Sequence, residues 1–178
     1  MRELKTHYNP EFGRDEVRIG QGEYFATGEN LVISTLLGSC VSVVLFDRVA
    51  GLGGMNHFLL PQPTFTSSVF EDPPKLPLEK GDIVFSEHGR FGVHAMELLI
   101  NALLQKGADK SCFEAKIFGG SRILSAFNED GGSVPDRNVE FAFSFLLNEG
   151  IPISSHSVGG HAPRKVFVLP DEGRVFVR

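Results

Sequence analysis

The run at 41–46, VSVVLF, is the segment that most constrains this chain. Successive side chains of a strand point to opposite faces, and here both parities carry apolar residues. Such a strand is buried on both faces. Apolar runs flank it at 31–37 and 52–60, with 47–51 as the intervening turn. Gly53-Gly54 inside the third run marks a bulge or a close backbone approach. Ahead of these, 16–27 reads as one or two short strands broken by Gly20 and Gly22.

The clearest helix is 90–106. Val93, Met96, Ile100, Leu103 and Leu104 form one apolar stripe, and Gly107 ends it. A fourth strand at 112–118 runs into Gly119-Gly120. A second helix starts at Pro135 or Asp136 and closes at Glu149, before Gly150 and Pro152. Three closing strands follow at 151–158, 164–169 and 173–178. The expected class is α+β: a layered sandwich of mixed or antiparallel strands with two main helices. Residues 1–15 are polar and read as a flexible leader, and 16–178 reads as a single domain. Within it, 61–89 is a long loop with prolines at 61, 63, 73, 74 and 77, either simply exposed or a flap over its neighbours.

A length of 178 residues with 42% hydrophobic and 22% charged content is that of one ordinary globular domain. The formal net charge of −5 argues against a nucleic-acid backbone or an anionic membrane as the main partner. No stretch approaches the roughly 18 apolar residues needed to span a bilayer, so membrane insertion is not expected. The first ten residues hold charge and proline rather than an apolar run. No secretory signal is read there, a cytoplasmic location is expected, and Cys40 and Cys112 are expected as free thiols.

Cys40 follows a Leu-Gly-Ser step and leads into the doubly apolar strand, and His57 stands 17 positions later. That spacing fits one strand out, a turn and a second strand back, which brings thiol and imidazole side by side. An imidazole that takes the thiol proton makes a nucleophile for acyl transfer. Small buried cysteines and half-buried histidines are also common, so spacing alone leaves a packing role open. HExxH, CxxC and His-x-His patterns are absent, so neither a metal nor a cofactor is implied. Gly119-Gly120 and Gly159-Gly160 match no phosphate loop and read as turns. Cys112 reads as a buried, inert thiol, and Arg122, Arg164 and Lys165 as solvated charge or partner contacts.

The strings LLGSCVSVVLFD, GLGGMNHFLLP, FGVHAMELLINALLQKGA, EAKIFGGSRIL, RNVEFAFSFLLNEGIPI and RKVFVLPDEGRVFVR, in this order, closely resemble the CheD family of chemoreceptor glutamine deamidases. The resemblance implies an enzyme that hydrolyses side-chain amides of particular glutamines on the cytoplasmic helices of chemotaxis receptors, releasing ammonia. It implies an α/β/β layered fold. The cysteine of LGSC, here Cys40, would be the nucleophile, and the histidine of GGMNHF, here His57, the base. The family's third residue, a threonine six positions before the cysteine, falls on Ser34, with Thr35 next door. Mechanistically, a thiolate–imidazolium pair with Ser34 fixing the ring is expected, and so is a low-pKa Cys40 that alkylates before Cys112. Gly38 and Ser39 would supply backbone support for the oxyanion. The resemblance further implies binding to a CheC-type phosphatase, and ester hydrolysis is a plausible side activity. The rival readings are a non-catalytic CheC-binding adaptor, a thiol hydrolase with another substrate, and a purely structural Cys40.

Overall fold

The computed structural model describes residues 6–60, 87–123 and 133–178. The strands are β1 (Thr6–Asn9), β2 (Arg14–Arg18), β3 (Tyr24–Thr27), β4 (Leu31–Leu37), β5 (Val41–Asp47) and β6 (Leu52–Asn56). Helix α1 (Glu87–Gln105), β7 (Phe113–Gly119), α2 (Val134–Asn148), β8 (Ile153–Val158), β9 (Arg164–Leu169) and β10 (Arg174–Val177) follow. The described strands form two five-stranded sheets. One has the order β1-β2-β4-β9-β10, the other β3-β6-β5-β7-β8. Both are mixed: β2 runs parallel to β4 and β7 parallel to β8, and the remaining pairs are antiparallel.

β5 sits at the centre of the second sheet, and every one of its residues is buried. Val41, Val43 and Leu45 join the α1 and α2 side chains Met96, Leu99, Phe141 and Phe145 in one core. Val44 and Phe46, on the opposite face, pack with Val17, Ile33, Leu37, Val166 and Val168 of the first sheet. Apolar residues of both parities therefore reflect a middle layer, with helices on one side and a sheet on the other. This is the α/β/β sandwich.

Close approach explains the Gly53-Gly54 pair. A Cβ on Gly54 would lie 2.8 Å from Leu99 Cδ1 and from the Phe25 carbonyl oxygen, and one on Gly53 would lie 2.7 Å from the Phe46 ring. Leu99 of α1 and the Pro170 Cα, 3.0 Å from a Cβ on Gly53, close on β6 from outside its own sheet, so neither position has room for a side chain.

Four expectations differ from the structure. Residues 6–9 are not an irregular leader but an edge strand on β2. The turn after them is anchored by Arg14, which meets Asp171 at 2.9 Å and also pairs with Glu172. A polar edge strand exposed at all but its last residue shows little hydrophobic pattern, which hides it. Helix α1 begins at Glu87, so the last residues of the expected 61–89 loop are helical; 61–86 lie outside the described residues. Its buried face is Met96, Leu99, Ile100 and Leu103, whereas Leu104 is 38% exposed. Cys112 is exposed, not buried: it ends a short 3-10 turn (Lys110–Cys112) before β7 starts at Phe113.

Candidate active site

His57 follows β6 and is only 6% exposed. In the β5–β6 register Val44 faces Met55 and Leu45 faces Gly54, and Val41 and Phe58 exchange hydrogen bonds of 3.0 and 2.9 Å. That register sets His57 opposite Ser42 and makes Cys40 its diagonal neighbour on the same face, a separation that longer side chains span. The shared face is turned toward the first sheet, and Cys40 packs against the intersheet core, half-buried.

Across that seam, Thr35 Oγ1 of β4 lies 2.8 Å from His57 Nδ1. The same hydroxyl lies 2.9 Å from the Ile19 carbonyl oxygen, which can only accept. Thr35 thus gives its proton to Ile19, and its oxygen accepts one from Nδ1–H. The ring's other nitrogen, Nε2, then carries a free lone pair. It is buried and has no hydrogen-bond partner among the described residues. An imidazole in this tautomer can accept a proton at Nε2.

Ser34 does not take the orienting part that counting back from the cysteine assigns to it. Alternation along β4 turns it to the outer face of its sheet, where its hydroxyl donates to Glu16. Burial alone would raise the Glu16 carboxyl, but the bonds from Ser34 and Asn9, together with the nearby His7 and Lys165, outweigh it and hold the group below its ordinary range. One step along the strand, Thr35 faces the seam and meets the imidazole. The hydroxyl six positions before the cysteine serves the fold; the one five positions before reaches the site.

The Gly38–Cys40 step is held from behind at each carbonyl. Gly38 O accepts from Ser121 N–H at 2.7 Å, Cys40 O from Gly120 N–H at 2.7 Å, and Ser39 O from Asn138 Nδ2 at 2.9 Å. Gly119 makes this approach possible. Its φ is +106°, and a Cβ there would lie 2.2 Å from Cys40 O. The Gly119-Gly120 pair, read from sequence as a turn alone, backs the loop that carries Cys40.

The turn at 20–23 closes the other side. Gly22 N–H donates to His57 O at 2.7 Å, and His57 N–H to Glu23 O at 3.0 Å. Gln21 Oε1 lies 3.7 Å from Cys40 Sγ. Gln21, Thr35, Gly119 and Asn138 escaped sequence reasoning, because their roles depend on contacts between distant segments. Only Thr35 had a local sign, a second hydroxyl beside Ser34.

The electrostatics lean away from the expected ion pair. Burial pushes the His57 pKa from 6.5 down to about 4, with only partial relief from the Glu23 carboxylate. Burial also raises the Cys40 thiol, though its own backbone N–H and Ser39 partly offset this. Both shifts favour the neutral forms. They favour a thiol and a neutral imidazole at rest over a thiolate–imidazolium pair. Among the described residues no group of three or more His, Cys, Asp or Glu is placed to hold a metal, and no helix is long and apolar enough to cross a membrane.

Fold and site together define the class: a helix-backed, two-sheet domain whose intersheet seam presents a thiol and a hydroxyl-oriented imidazole, groups suited to acyl transfer. The family described as CheD chemotactic sensory transduction matches residues 76–178. A protein of Shewanella oneidensis named probable chemoreceptor glutamine deamidase CheD 1 is 42% identical over 178 residues, 100% of this chain and 79% of the relative. A Rhizobium etli protein named probable chemoreceptor glutamine deamidase CheD is 46% identical over 159 residues, 89% of this chain and 76% of its own. A protein of the same name from Herminiimonas arsenicoxydans is 42% identical over 173 residues, 97% of this chain and 77% of its own. The chain belongs to the CheD family. The family match begins beyond Cys40 and His57, whereas the alignment to the Shewanella protein runs the whole length of the chain.

Proposed function

We propose that this chain is a chemoreceptor glutamine deamidase, converting receptor glutamine side chains to glutamate by way of Cys40. The observation that carries the reading is the His57 ring, tied through Nδ1 to Thr35 and leaving a buried, unpartnered Nε2 on the face Cys40 shares. The names of the relatives supply the substrate.

In this mechanism the reaction starts from the neutral pair. As Sγ adds to the carboxamide carbon, its proton passes to Nε2, so charge forms only while the substrate is engaged. The backbone N–H groups of Ser39 and Cys40 stabilise the oxyanion. The imidazolium then protonates the departing nitrogen, which leaves as ammonia, and a thioester remains. His57, neutral again, takes a proton from water as it attacks the thioester; the C–S bond breaks, the imidazolium returns that proton to Sγ, and the glutamate side chain departs with the neutral pair restored. A glutamyl methyl ester, with its better leaving group, is a side substrate of the same machinery. Binding to a CheC-type phosphatase and residence in the cytoplasm complete the reading.

Purified chemoreceptor incubated with the wild-type protein should gain about 1 Da per converted glutamine by mass spectrometry. Cys40→Ala should leave the receptor mass unchanged while keeping its fold by circular dichroism. A receptor left unmodified by wild type, with the protein still binding the phosphatase, favours an adaptor instead. Equal conversion of free glutamine points to a general amidase.

A further inference from the structure

Resting on the deamidase reading above, we infer that Asn138 is a positioning residue that aims the Cys40 backbone N–H at the oxyanion. It lies on α2 and is 0% exposed. Both ends of its carboxamide are used. Oδ1 accepts from Leu60 N–H at 2.9 Å, three residues past His57, and Nδ2 donates to Ser39 O at 2.9 Å. One side chain thus ties the loop before the nucleophile to the segment after the base.

The geometric consequence follows from peptide planarity. In a trans peptide the C=O and the N–H point in opposite directions. The Ser39 carbonyl and the Cys40 N–H belong to one plane. Holding that carbonyl back toward α2 turns the Cys40 N–H away from the body of the protein. The plane before it is set the same way, because Gly38 O is held by Ser121 N–H and the Ser39 N–H is thereby turned outward. Neither the Ser39 nor the Cys40 N–H donates to another backbone group among the described residues. Of the three donors behind the loop, two are backbone groups of the β7 exit. Only the third is a side chain, and it acts on the plane carrying the nucleophile's own amide. A buried primary amide suits this post, since it offers a donor and an acceptor a few ångströms apart without a charge.

The test compares wild type, Asn138→Asp and Asn138→Ala. Asn138→Asp keeps an oxygen for Leu60 N–H and, when ionised, replaces only the donor facing Ser39 O, whereas Asn138→Ala removes that donor at any pH. Receptor conversion is followed by mass spectrometry to separate kcat from KM, and iodoacetamide alkylation of Cys40 is timed on the same samples. Alkylation develops no oxyanion, so it does not need the aimed N–H. A folded Asn138→Asp should lose about 10- to 100-fold in kcat, somewhat less than deletion of an oxyanion donor. KM should stay within about threefold and Cys40 alkylation within about twofold. Unchanged kcat overturns the inference, as does a kcat loss matched by slower alkylation, which marks a merely structural role.

Should neither variant fold, amide hydrogen exchange on the wild type decides. The Cys40 N–H should exchange much faster than the N–H groups of Gly120 and Ser121, and equal protection overturns the inference. Failure of wild type to convert receptor sinks the deamidase reading instead. The exchange comparison then still tells whether the Ser39–Cys40 peptide is turned as described.

Discussion

The division of labour between Ser34 and Thr35 can be tested by replacing each hydroxyl in turn. Thr35→Val keeps the shape of the side chain but leaves His57 Nδ1–H without its acceptor at 2.8 Å and Ile19 O without its donor at 2.9 Å. A buried donor left unsatisfied costs about 1–3 kcal/mol. The ring escapes that cost by rotating or by moving its proton to Nε2, and either change removes the base. At about 1.4 kcal/mol per tenfold, the competent population, and with it kcat/KM, should fall roughly 5- to 150-fold. Thr35→Ser restores a hydroxyl and should recover most of the rate. Ser34→Ala removes only the bond to Glu16 on the outer face. It should leave kcat/KM within about twofold while lowering stability by about 1–2 kcal/mol. Receptor conversion by mass spectrometry gives the rates, and urea melts give the stabilities. A Ser34→Ala variant as impaired as Thr35→Val, or a fully active Thr35→Val, would refute this assignment of the two hydroxyls.

Three further outcomes follow from the site. Because the His57 pKa is lowered to about 4, the ring stays unprotonated down to mildly acid pH. The acid limb of kcat/KM should therefore lie near 4, well below the ordinary histidine value of 6.5; a limb at or above 6.5 contradicts the buried neutral ring. The unfolded chain binds the His57 proton more readily than the folded one, so this group's contribution to stability is present above 6.5 and is lost as pH falls toward about 4. Iodoacetamide at neutral pH should label exposed Cys112 before half-buried Cys40, whose thiol is raised. Peptide mapping reads the order, and faster labelling of Cys40 indicates a resting thiolate. Gly119→Ala should abolish turnover and lower the melting temperature, since its Cβ would lie 2.2 Å from Cys40 O at a φ of +106°. A fully active, equally stable variant would show that the Cys40 loop does not depend on this approach.

Much of this protein was legible along the chain. The doubly apolar run at 41–46 required cover on both faces, and β5 is the middle layer. Cys40 and His57 stand where a strand, a turn and a return would bring them, because antiparallel register is arithmetic on the sequence. The polar edge strand β1 and the early start of α1 left no clear pattern, since neither displays a full apolar face. What the sequence could not determine is everything that crosses between layers. The choice of Thr35 over Ser34 is set by the face of β4 that meets the second sheet. The resting charge of the Cys40–His57 pair is set by burial, a property of the packed layers. The anchoring of Ser39 by Asn138 joins residues far apart in the chain. Local sequence sets what each strand can be; only the stacking of two sheets and two helices decides which side chains meet and how much water they keep.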